Sequence, residues 1–133
     1  MSEFSTLRII HGAICSGPLV FLIVTYFTRT QIHSDPTLPY ACLALGVGSV
    51  ILSLFLPQIL PSSKSNPPSA NSGPNIAAYR VRKIVQWGVV ESGALANVVA
   101  YFISGLEHSL AASIALVLWL AYLRPKPEEL QNT

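Results

Sequence analysis

Charge is what this chain has least of. Asp, Glu, Lys and Arg together make up 11% of its 133 residues, less than half of the roughly 25% found in ordinary globular domains. A soluble domain this small has to cover itself with polar groups, so the shortage excludes one. The mean hydropathy of +0.51 agrees. A formal net charge of +2 and the lack of a basic stripe interleaved with aromatics exclude nucleic acid as the expected partner. Cysteine is nearly missing too. Cys15 and Cys42 fall in apolar runs rather than at loop spacings, and no Cys-x-x-Cys or Cys/His cluster occurs. They read as small buried packing residues with free thiols, and no metal is expected. Nucleophile elbows, phosphate loops, zinc-protease helices and dinucleotide fingerprints are likewise missing, so the chain is expected to be non-enzymatic and to carry no cofactor. Gly46-x-Gly48 lies in the middle of an apolar run and reads as packing material.

Long apolar runs are what the chain does have. Crossing a hydrocarbon core of about 30 Å takes about 20 residues of helix. Four stretches approach that length, at about 9–28, 38–60, 84–103 and 106–123. The fourth is shortest, so its ends are expected near the headgroup layer. The first is too long for the apolar part of a secretory signal and has neither a basic cluster before it nor a small-x-small cleavage site; it is expected to be a permanent span. The stretch 61–79 opens "PSSKSNPPSANSGPN". Rich in Pro, Ser, Asn and Gly, it cannot bury apolar surface and reads as a flexible linker.

The other connections are short, which predicts antiparallel neighbours: an all-α four-helix membrane bundle made of two helical hairpins. With four spans, both termini and the linker share one side. That side carries Arg8, Lys64, Arg80, Arg82, Lys83, Arg124 and Lys126, against Arg29 alone on the other. The bias places both termini in the cytoplasm. Tyr26, Tyr40, Trp87, Tyr101 and Tyr122 fall towards span ends, where aromatic rings favour the interface. A shift of 75 positions pairs Ile9 with Ile84, Val24 with Val99, Tyr26 with Tyr101 and Phe27 with Phe102, which raises an internal duplication as a reading. It would relate the hairpins as parallel repeats.

Lipid gives no hydrophobic push between helices, so association rests on close packing and interhelical hydrogen bonds. Cys42, Gly46, Ser49 and Ser53 follow i, i+4, i+7, i+11 along span two. Gly93, Asn97, Ala100 and Ser104 repeat that spacing on span three, with Gln86 on the same face. Both stripes are read as helix-contact surfaces, as are the pairs Gly12/Ser16 and Ser109/Ser113. Pro18 is expected to kink span one, and Pro57 to end span two.

One residue stands against this pattern. Glu91 lies eight residues beyond Lys83, about 12 Å along the helix. An acid at that depth costs of order 2.5–3.5 kcal/mol, while each large apolar neighbour returns about 0.3–0.6 kcal/mol. The span therefore inserts with little margin. Asn97 and Gln86 lie well round the helix from Glu91, so its partner is expected from another span: Ser16 at similar depth, or His11 nearer the surface. Two readings follow. In one, Glu91 is a structural hydrogen-bonder in a small accessory component of a membrane assembly. In the other it is the exchange site of a proton- or cation-linked channel or transporter, helped by Asn97, Ser16 and His11. A metal site from His33, Glu107 and His108 has no diagnostic spacing.

The stretches "LRIIHGAICSGPLVFLIV", "VVESGALANVVAYFISG" and "AYLRPKPEEL" resemble an uncharacterised group of small bacterial four-helix membrane proteins. That group shares an Arg before span one, here Arg8, and a Glu-x-Gly patch in span three, here Glu91–Gly93. Its third feature is an Arg/Phe-Pro exit, here Arg124-Pro125. The resemblance implies a protein of the bacterial inner membrane and brings no established activity; the chain itself is expected to be multi-pass, in contact with the bilayer and with further copies or a larger complex. A looser resemblance is to rotary ATPase proteolipids, which also pair two hairpins with one membrane carboxylate. Here, however, the acid is on the first helix of its hairpin, "GVGS" replaces a run of spaced glycines, and "RTQIHSDP" falls outside by the charge rule. Small multidrug exporters also use four helices and one Glu, but theirs is on the first helix and dual-topology members lack this Lys/Arg bias.

Overall fold

The computed structural model describes residues 3–28, 35–60 and 76–126. Four helices occupy them: α1 (Glu3–Thr28), α2 (Thr37–Ile59), α3 (Ile76–Ser104) and α4 (Glu107–Tyr122). The fold is an all-α four-helix bundle, with no strand among the described residues. The helices α1, α2 and α3 are long and apolar enough to cross a membrane. At 16 residues, α4 reaches about 24 Å, short of a full core of about 30 Å.

Burial is inverted relative to a soluble bundle. Large apolar side chains such as Phe21, Phe27, Leu45, Leu54 and Phe55 point outward, whereas Ser49, Ser53, Gln86, Asn97, Ser109 and Ser113 are buried. Hydrocarbon is the solvent in which that distribution is favourable: an orphaned polar group there costs several kcal/mol, so polar groups turn inward to find partners.

Contacts along the helices fix their directions. Gly46 and Ser53 on α2 meet Asn97 and Gln86 on α3, so these two are antiparallel. His11 and Gly17 on α1 meet Trp87 and Glu91 on α3, so α1 and α3 run parallel. Alternation is up-down-up-down, yet the packing is not that of two equivalent hairpins. The central helix is α3, which packs extensively on all three others, while α1 and α2 share almost no contact. The pair α3–α4 is a packed hairpin. The pair α1–α2 is one in direction only, because α3 lies between its members. A duplicated architecture would pack both pairs alike, so the geometry does not bear out the repeat. The shift of 75 positions instead matches depth, since parallel helices starting at one face bring His11 level with Trp87 and Gly17 level with Glu91.

The turn between α3 and α4 is built by Gly105, whose φ of 68° is a left-handed conformation that a side chain would disfavour. Its N–H donates to Tyr101 O at 2.8 Å, and Ser104 Oγ accepts from Leu106 N at 3.2 Å. One boundary departs clearly from the sequence reading. The third helix starts at Ile76, so 76–79 are helical rather than linker; "IAAYR" is good helix-forming sequence once the Pro/Ser-rich run has ended. Residues 61–75 lie outside the described ones, as do Arg29, His33 and Lys64. The second helix ends at Ile59, within one residue of the expected span end but two residues past Pro57, and Pro18 is buried inside α1.

Candidate functional site

The α2–α3 seam is where the polar side chains concentrate. Asn97 is fully buried, and its Nδ2 donates to Cys42 O at 2.8 Å and to Gly93 O at 2.9 Å. A side chain at Gly46 would come within 2.7 Å of that Nδ2, and one at Gly93 would overlap Ser49 Oγ. These glycines therefore allow the helices close enough for the amide to bridge them. Ser49 Oγ donates to Gly46 O at 2.7 Å, Ser53 Oγ to Val50 O at 2.7 Å, and Gln86 Nε2 to Ser53 O at 2.8 Å. Trp119 of α4 adds Nε1 to Ser53 Oγ at 3.3 Å. Cys42, Gly46, Ser49, Ser53, Gly93 and Ala100 are all buried, as a helix-contact stripe requires. Gly48 is exposed with open space about it, so of the Gly46-x-Gly48 pair only the first is packing material.

A second polar set ties α1 and α3 to the end of α4. His11 Nε2 bonds Leu120 O at 2.9 Å, while its ring lies against Trp87 with centroids 4.6 Å apart. Trp87 Nε1 donates to Leu123 O at 2.9 Å. Trp87 is 0% exposed, a core residue rather than an interfacial one. Tyr101 is likewise buried, whereas Tyr26, Tyr40 and Tyr122 do face outward.

Glu91 lies on neither set. Half-buried on the α1 side of α3, it directs Oε1 to within 3.3 Å of where a Gly17 side chain would begin. Among the described residues no hydrogen bond or ion pair reaches it. Neither expected partner serves. Ser16 is at the right depth, but it is exposed and its Oγ donates back to Ala13 O at 2.7 Å. His11 is engaged with Leu120, to whose carbonyl its Nε2 donates, and Cys15 Sγ lies 3.6 Å from the same nitrogen. Asn97 faces α2, six residues further along α3 and so about 120° round the helix. The four residues Glu91, Asn97, Ser16 and His11 thus belong to separate surfaces and form no relay.

The outer end is equally dispersed. His108 stacks on Tyr40 with centroids 5.3 Å apart, and Glu107 is exposed. Among the described residues no three His, Cys, Asp or Glu side chains come together as metal ligands. The His11–Leu120, Trp87–Leu123 and Trp119–Ser53 ties escaped sequence reading, because each joins residues far apart in the chain through a main-chain oxygen or a hydroxyl. Comparison with family models, curated proteins and solved structures finds no match to this chain. Its function therefore rests on its own residues and geometry.

Proposed function

We propose that this chain is a small multi-pass membrane component with no catalytic step of its own, which works by assembling with further copies or within a larger membrane complex. One observation carries the reading. Ser49, Ser53, Gln86, Asn97 Nδ2 and Ser113 are spent on ties within and between helices, with Asn97 Oδ1 and Ser109 Oγ left over, whereas the single intramembrane carboxylate sits half-exposed on an outer seam with no hydrogen bond or ion pair among the described residues. An acid so placed costs of order 2.5–3.5 kcal/mol, and a donor from a neighbouring subunit would offset it. The long apolar faces that α1 and α2 present outward support the membrane part of this reading. All six described Lys and Arg residues gather at the end where α1 and α3 begin and α4 finishes, and the positive-inside rule assigns that end to the cytoplasm. In this arrangement α4 is the fourth crossing, its short length met by local thinning or by its flanks reaching the headgroups. The bacterial inner membrane is the location that the resemblance implies.

The test is the mass of the solubilised particle. In mild detergent the protein should run as a multiple of the 14.3 kDa chain, or bring a stoichiometric partner after crosslinking in the membrane. A lone monomer that yields no crosslinked species overturns the reading. The second reading, proton-linked transport, is favoured by the same unpartnered carboxylate, since intramembrane acids mark ion pathways. It requires that Glu91→Gln abolish proton flux in proteoliposomes. Unchanged flux removes it.

A further inference from the structure

At the cation-rich end, the first turns of α1 and the exit of α4 part to leave a cavity of about 700 Å³. Three of its lining residues are cations: Arg8 from α1, and Arg124 and Lys126 from the segment after α4. No carboxylate among the described residues lines it, and no ion pair within those residues engages any of the three. Holding three like charges around one space is unfavourable unless a counter-charge occupies it. Lys126 is steadied by the Tyr122 ring, 5.5 Å from its Nζ. The small residues Gly12 and Ala121 also line it, and Gly12 has open space where a side chain would stand. Phe4, His11 and Cys15 complete the lining from α1. The cavity thus brings three cations together with small and apolar residues at the cation-rich end of the bundle.

We propose that this cavity binds a phosphate group, with two guanidinium forks and one ammonium as its donors. Arg offers phosphate a planar bidentate match and Lys a point charge, a combination suited to a phosphodiester or phosphomonoester at a membrane surface. Basic pockets between helices at the headgroup level hold anionic lipids by this chemistry. The open space beside Gly12 and Ala121 then takes the first part of an acyl chain. The site is independent of Glu91 and of the oligomeric state.

Native mass spectrometry of the full chain in mild detergent tests this, with phosphatidylglycerol and phosphatidylcholine of the same acyl length supplied in equal amount. Phosphatidylglycerol should be retained about tenfold over phosphatidylcholine, given the attraction that each surface Lys or Arg exerts on anionic lipid. Arg8→Gln/Arg124→Gln/Lys126→Gln should abolish the preference, and Arg80→Gln/Arg82→Gln, at the same end but outside the cavity, should keep it. Arg124 is exposed and outside any helix, so Arg124→Gln alone reports a partial loss even if the triple variant fails to fold. An inorganic phosphate arm identifies the carrier. Raised thermal stability with phosphate alone assigns a soluble phosphate ester, and retention of the lipid without that response assigns the headgroup. Equal retention of both lipids with no response to phosphate overturns the proposal. Equal loss in the Arg80/Arg82 variant also overturns it, because bulk surface charge would then suffice.

Discussion

Replacing Gly93 with Ala tests the α2–α3 seam most directly. A methyl there would overlap Ser49 Oγ, lie 2.9 Å from Ser49 Cβ and stand 3.4 Å from Gly46 Cα. Rotating the Ser49 hydroxyl relieves only the first clash and gives up its bond to Gly46 O. The other two atoms are a Cβ and backbone, which move only if the helix axes separate. Separation also lengthens the bond from Asn97 Nδ2 to Cys42 O, 2.8 Å in the native seam. Gly88, on the same helix with nothing within 4 Å of its virtual side chain, is the matched control. Both changes gain the same helix propensity, roughly 0.5–1 kcal/mol, so the difference between them isolates the packing. Overpacking costs typically 1–3 kcal/mol, and weakening an interhelical hydrogen bond in a membrane adds about 0.6 kcal/mol. Gly93→Ala should therefore unfold about 1–3 kcal/mol more easily than Gly88→Ala, measured by circular dichroism during titration of mixed micelles with dodecyl sulfate. Adding Ser49→Ala should recover only part of the loss, because the Cβ contact remains. Equal stability of the two variants would refute close approach of α2 and α3 at Gly93.

Trp87→Phe removes the indole bond to Leu123 O and part of a fully buried ring, and should cost roughly 1–2 kcal/mol in the same titration; an unchanged midpoint would place Trp87 outside the core. A water-soluble maleimide should label Cys15, which lines the basic cavity, faster than the buried Cys42. Unfolding should equalise the two, and equal rates in the native protein would contradict this packing. Just outside α2, Asp35 accepts from Thr37 N at 3.0 Å and from Thr37 Oγ1 at 2.7 Å. The backbone bond first and the hydroxyl second hold its carboxyl below the ordinary value of 3.8. Its contribution to the start of α2 is thus present above the ordinary carboxylate range and is lost as pH falls through the depressed value. Titration by NMR should find Asp35 below 3.8 and moved back up in Thr37→Val, and an unshifted Asp35 would contradict the two bonds.

The chain's own pattern carried the fold class. Scarce charge and apolar runs near spanning length demand helices, because main-chain polar groups in hydrocarbon have no other donors or acceptors. The small-residue stripes were legible for a related reason: helical spacing alone places Cys42, Gly46, Ser49 and Ser53 on one face, and each is buried. The angular separation of Asn97 from Glu91 was legible too, since 3.6 residues per turn settles it before any packing is known. Which helices meet was not legible. Short connections argued that α1 lies against α2, yet α3 stands between them, because neighbours are chosen by matching small and polar residues across a seam and not by the length of a link. Trp87 showed the same limit. Its place near a span end suggested the interface, while a carbonyl at Leu123, distant in the chain, drew it into the core. Glu91 was visible at once as an anomaly, but only the tertiary arrangement left it on the α1 side with no hydrogen bond or ion pair among the described residues. The basic cavity belongs wholly to tertiary structure: Arg8 and Lys126 stand 118 positions apart, and one space joins them only because α1 and α4 end at the same face.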